Sequence, residues 1–188
     1  MSTILTNVDP SCPVWEVSNF NLPDFDTDNL IHKTFEQVKD SEKHTNSLRQ
    51  VCEHPYENFA TEWRNNCIDI QRMLNNCTLP VVESMWFNHL KDWEWPLVTD
   101  CNVEILLDKP KFYMPSHIDN RFVLGVLIIN LQDNPCSTVF NDIHYTGPKQ
   151  KGTGVFMLNH INTMHSISNF STQNRLVGYQ TITINGIA

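Results

Sequence analysis

The run Val123-Leu124-Gly125-Val126-Leu127-Ile128-Ile129 restricts what this chain can fold into more than any other stretch. Successive side chains of a strand point to opposite faces, so a strand that is apolar at every position must be covered on both sides. That requirement places it in the middle of a sandwich. Other short runs rich in Val, Ile, Phe and Thr lie around it, at 103–107, 111–114, 137–140, 154–158 and 175–184, and the central run itself extends over 122–131. Turn signals separate them at Asp108-Lys109-Pro110, Asp133-Asn134-Pro135 and Tyr145-Thr146-Gly147-Pro148.

Ahead of residue 97 the texture is helical. Phe59, Trp63, Cys67, Ile70, Leu74 and Cys77 recur at steps of three and four, which puts them on one stripe of a helix over about 57–76. Such a stripe packs on a sheet. A further helix is expected over about 28–43, with Asp26, Thr27 and Asp28 as N-cap candidates, and another around 82–90. Val14–Phe20 reads as a short strand, and the polar stretch 40–50 as an exposed loop. Helices first and strands afterwards predict a mainly β fold with flanking N-terminal α-helices. A double-sheet jelly roll fits the strand pattern and carries ligand sites in its barrel mouth. The expected organisation is one domain over 1–188, with 1–96 as mostly helical support and 97–188 as the jelly-roll core.

The net charge of -8 argues against a hold on nucleic-acid backbone, since that affinity comes from Lys and Arg displacing counterions. Six scattered cysteines, with no Cys-x-x-Cys pair, fit reduced thiols rather than a disulfide frame or a zinc site. The N-terminus lacks a basic start and a long apolar run, and no stretch approaches a membrane span. The expectation is a cytoplasmic protein.

The chemistry concentrates in Met114-Pro115-Ser116-His117-Ile118-Asp119-Asn120-Arg121, read with His165 and Arg175. His117 and Asp119 are two apart, so on an extended backbone they leave the same face and can take adjacent positions on one metal ion. His165, 46 residues after Asp119, is a candidate third ligand, with His160 as its competitor. Two His and one carboxylate on one face of an ion, with positions left open, is the ligand set of non-haem Fe(II) centres that use O2. Arg175, ten residues after His165, reads as a fixed cation for an acidic co-substrate. His89 lies on an apolar helix side as a hydrogen-bonded core histidine, and His144 in a solvent-exposed turn. If Arg175 faces inward, strand periodicity puts Val177, Tyr179 and Thr181 on its face. Asn120 and Arg121 follow the metal carboxylate and are candidate mouth residues.

With His117-x-Asp119, His165 and Arg175 on strands of a jelly roll, the chain resembles the Fe(II)/2-oxoglutarate-dependent oxygenase superfamily, and within it the prolyl-hydroxylase-like branch. The resemblance covers about 104–184, including Asn162–Ile167 and Asn174–Ile182. It implies that His117, Asp119 and His165 hold Fe(II), with 2-oxoglutarate and O2 at the open positions. It favours His165 over His160 through the ten-residue spacing to Arg175. Arg175 would grip the distal carboxylate with a two-pronged ion pair, with Thr181 or Tyr113 as a second donor. The implied reaction hydroxylates a small molecule or a protein side chain with O2, releasing succinate and CO2. The nucleic-acid dealkylating branch would carry a second arginine six residues beyond the first, where this chain has Thr181. Trp86, Trp93 and Trp95 could rim a peptide or small-molecule site, though packing is the commoner use of such residues. The competing readings are a jelly roll that binds without turnover and a cupin-like metalloenzyme without a keto acid. The absence of any His-x-His speaks against the latter.

Overall fold

A computed structural model describes residues 2–22, 48–52, 103–119 and 123–183, together with residues 63, 67, 68, 70, 72 and 76–80. Eleven strands lie among them: β1 (Ile4–Asp9), β2 (Cys12–Ser18), β3 (Arg49–Cys52), β4 (Val103–Asp108), β5 (Tyr113–His117), β6 (Val123–Asn130), β7 (Thr138–Phe140), β8 (Tyr145–Thr146), β9 (Gly154–Leu158), β10 (His165–Ser168) and β11 (Arg175–Thr183). They form two antiparallel sheets. The larger runs β1-β2-β9-β6-β11-β4-β3 and the smaller β5-β10-β7-β8. The last eight strands give four to each sheet, the arrangement of a jelly roll.

The apolar run of β6 is the middle strand of the larger sheet, as its two-sided hydrophobicity requires. Leu127, Ile129, Ile105, Leu107 and Leu176 point to one face, where they meet Trp63, Cys67 and Ile70 in a single buried cluster. Trp63, Cys67, Ile68, Ile70 and Arg72 are helical, and the first, second and fourth of these are at most 2% exposed while Ile68 is 40% exposed. The stripe at those positions therefore packs on the sheet. Trp63 Nε1 donates to Gln180 Oε1 at 2.7 Å, and a Cβ at Gly178 would come 2.4 Å from the Trp63 ring, so only glycine lets the indole lie there. The rest of the 57–76 helix lies outside the described residues. So do the helices expected at 28–43 and 82–90, with His89, Trp86, Trp93 and Trp95.

Val126, Ile128, Val51, Leu106, Val177 and Val155 face the other way, onto Phe140 of the smaller sheet. This inter-sheet core adjoins the candidate functional residues, since Phe140 pairs with His165 across β7 and β10.

The larger sheet starts well before residue 97, since β1, β2 and β3 all belong to it. The end of the stretch read as an exposed loop is a correction of this kind: Arg49 and Gln50 open β3, and Arg49 is 6% exposed. Two isolated polar residues ahead of Val51 and Cys52 carry too little alternation to signal a strand; pairing with β4 supplies it. Among the described residues no helix is long and apolar enough to cross a membrane.

Candidate active site

His117 ends β5 and His165 opens β10, and the two are direct partners across that antiparallel pair. Their rings lie 4.4 Å apart between centroids. Asp119, two residues past β5, comes within 4.0 Å of His117 Nε2 through Oδ1 and 3.9 Å of His165 Nε2 through Oδ2. All three donor atoms fall within 4.8 Å of one another. His117 Nδ1 lies 2.9 Å from Pro115 O and His165 Nδ1 lies 3.2 Å from Thr163 O. A carbonyl can only accept, so each Nδ1 carries the proton and each Nε2 keeps its lone pair for a metal. Burial, first of all, lowers the His165 pKa, against the opposing pull of Asp119. It favours the neutral, ligating imidazole. The donor chemistry thus fits a divalent ion.

His160 is not part of this group. It caps the 3-10 turn Ile161–Thr163, its Nδ1 accepting from Asn162 N at 3.2 Å. Thr163 Oγ1 donates within that turn and fixes the entry to β10. His144 is exposed, with φ 50.

A cavity of about 120 Å³ opens from the three donors along the inner face of the larger sheet. Leu106, Ile128, Ile167 and Val177 form apolar walls; Arg49, Arg175 and Tyr179 supply polar groups. Arg49, Asp108 and Arg175 occupy one register row across β3, β4 and β11, so all three side chains leave the same face. Arg49 Nε and Nη2 donate to the two Asp108 oxygens at 2.6 and 3.0 Å. Arg175 Nη1 donates to Asp108 Oδ2 at 2.8 Å and Nη2 to Thr138 Oγ1 at 3.1 Å, while its buried Nε has no partner among the described residues. Arg175 also borders a void of about 10 Å³, near the lower limit for one water. Phe112 stacks beneath Arg49, 4.3 Å from guanidinium to ring centre. Two asparagines hold the row. Asn134 accepts from Leu176 N and donates to Leu176 O, and fully buried Asn169 donates to Asp108 O.

Val177 and Tyr179 line the cavity on Arg175's face, as strand parity predicts. Burial, then the Asp119 and Glu104 charges, push the Tyr179 phenol up, so it stays a neutral donor. Thr181 and Tyr113 are not among the lining residues. Thr181 is six residues from Arg175, roughly 20 Å along a strand, too far to share one carboxylate with it. Tyr113 is 54% exposed because of a bulge: His117 pairs with His165 but Met114 with Ile167, so three steps on β5 match two on β10. The extra residue turns Met114 inward and Tyr113 outward. Asn120 and Arg121 lie outside the described residues. Arg49 went unrecognised in the sequence, because nothing near it marks a strand start or an inward face.

No family model matches the sequence, and no curated protein matches it. Solved structures do. The viral collagen prolyl hydroxylase of Paramecium bursaria Chlorella virus-1, in its 2-oxoglutarate complex, is 15% identical, with 96% of this chain and 100% of that one covered and a TM-score of 0.59. A prolyl-4-hydroxylase from Pseudomonas putida is 11% identical over 94% and 95% of the two chains, with a TM-score of 0.55. A Trichoplax adhaerens prolyl hydroxylase, in complex with a hypoxia inducible factor peptide fragment, is 9% identical over 92% and 84%, with a TM-score of 0.58. The chain shares its fold with these prolyl hydroxylases.

Proposed function

We propose that the protein is an Fe(II)- and 2-oxoglutarate-dependent dioxygenase that hydroxylates a peptide or small-molecule substrate with O2, releasing succinate and CO2. The observation that carries this reading is one cavity with three metal donors at one end and two arginines at the other. The spacing supports it. On β7, Phe140 pairs with His165 and Thr138 with Ile167, and Thr138 is the residue Arg175 bonds. The arginine row is therefore two residues along the strands from the metal row, roughly 7 Å. A five-carbon keto diacid spans such an interval, with its 2-oxo carboxylate at the metal and its distal carboxylate at the arginines.

His117, Asp119 and His165 would hold the Fe(II), which when bound supplies the redox chemistry with O2. The chain's own residues do the rest. The Pro115 and Thr163 carbonyls fix the two imidazoles. Leu106, Ile128, Ile167 and Val177 keep bulk water from the co-substrate, and Tyr179 can donate a hydrogen bond into the cavity. Ile118, between His117 and Asp119 and 48% exposed, offers an apolar edge for the substrate. The peptide held by the Trichoplax relative makes a peptide the first class to try.

The test is succinate formation from 2-oxoglutarate by the Fe(II)-loaded chain in air. Formation above that of free Fe(II), abolished in Asp119→Ala, is expected. Background rates in a folded, iron-loaded protein, with and without peptide libraries, would indicate a jelly roll that binds without turnover.

A further inference from the structure

Arg175 is not the free cation that a lone anion-binding arginine would be. Its Nη1 is taken by Asp108 and its Nη2 by Thr138, and it is 1% exposed. Arg49 shares the same carboxylate but keeps a group in reserve. Nε and Nη2 are engaged, and among the described residues no hydrogen bond takes Nη1, although Arg49 lines the cavity. Stacking on Phe112 and the bidentate pair fix its plane.

Charge makes the same point. Asp108 cancels one of the two guanidiniums, leaving one positive charge in the row, and Asp119 balances that charge across the cavity. A divalent metal then raises the total to plus two, which a dianion neutralises. Without Arg49 the total would be plus one, suited to a monoanion. Buried charge needs such compensation.

We infer that Arg49 is a second binding residue for the distal carboxylate of the co-substrate, and that Asp108 is a positioning residue that holds the two arginines in one row. The inference rests on the oxygenase reading above. It makes the anion subsite a two-arginine site on β3 and β11 rather than a single arginine on β11.

Calorimetric titration of the full chain, loaded with metal and kept free of O2, tests it with two probes: 2-oxoglutarate, and 2-oxobutyrate, which lacks the distal carboxylate. Arg49→Gln should weaken 2-oxoglutarate at least tenfold and move 2-oxobutyrate less than twofold. A merely structural arginine would shift both or neither. If 2-oxoglutarate affinity stays within twofold in a folded Arg49→Gln protein, or both probes weaken alike, the inference is overturned while the wild type's own binding keeps the oxygenase reading. If the wild type does not bind 2-oxoglutarate, both fall. Should Arg49→Gln fail to fold, Arg49→Lys decides: it keeps the charge without the fork, and selective loss of 2-oxoglutarate affinity supports the inference, whereas equal affinity for the diacid overturns it.

Discussion

Asp108 satisfies two guanidiniums with one carboxylate, fully buried and in register with both. Removing its charge leaves two buried cations facing each other. Asp108→Asn should therefore cost about 3–5 kcal/mol, the range seen when one partner of a buried pair is lost; urea denaturation with an unchanged m-value is the measurement. The residues proposed as metal ligands, His117, Asp119 and His165, should behave differently, because their proposed purpose is not stability. Asp119→Ala should weaken metal binding by more than the roughly 10–100-fold that loss of an outer-shell partner costs, while His160→Ala, which touches only a 3-10 turn, should leave metal affinity unchanged in the same titration. At this scale the sequence was informative where spacing encodes geometry. His117 and Asp119 share a face by parity, whereas His165 and Arg175, ten residues apart, stand on β10 and β11 in different sheets and meet across the cavity rather than on adjoining antiparallel strands. Arg49 was invisible because its partner lies 59 residues away and it stands at the end of a mostly polar stretch, 40–50.

Among the elements, the strands of the jelly roll could be read because Val, Ile and Phe cluster between Pro, Gly and Asn turns. β1, β3, β8 and β10 could not, and Tyr145-Thr146, read as the start of a turn, is β8, paired with β7. Each is short or polar, and each is a strand because a neighbour pairs with it. The bulge between β5 and β10 is the most instructive case: parity counted from His117 puts Tyr113 inward, and one extra residue reverses it. Two substitutions test how the elements hold the site. Gly178→Ala places a methyl against the Trp63 ring and should destabilise by about 1–3 kcal/mol through overpacking. Asn134→Ala strips Leu176 N of its acceptor at the start of β11, at a cost of about 1–3 kcal/mol for a buried unsatisfied donor. Both are read from denaturation midpoints, and Asn134→Ala should also loosen anion binding, since Leu176 adjoins Arg175.

For the molecule as a whole, two sheets hold the two ends of one site. The smaller supplies the histidines and the larger the arginines, so the cavity exists only when the sandwich is closed. Ligands that bind only the closed form must stabilise it. Metal together with 2-oxoglutarate at a hundred times its Kd should add about 2.7 kcal/mol, seen as a rise in Tm that 2-oxobutyrate matches only at higher concentration. The central claim is that a keto diacid chelates iron at His117, Asp119 and His165 while the arginines hold its far end. Anaerobic titration of the Fe(II)-loaded chain with 2-oxoglutarate, followed by the visible charge-transfer band that keto-acid chelation of ferrous iron produces, tests it most directly. A saturable band that is lost in Asp119→Ala and needs far more 2-oxoglutarate in Arg175→Ala is the predicted result; a folded, iron-loaded protein that develops no band at any concentration would contradict it.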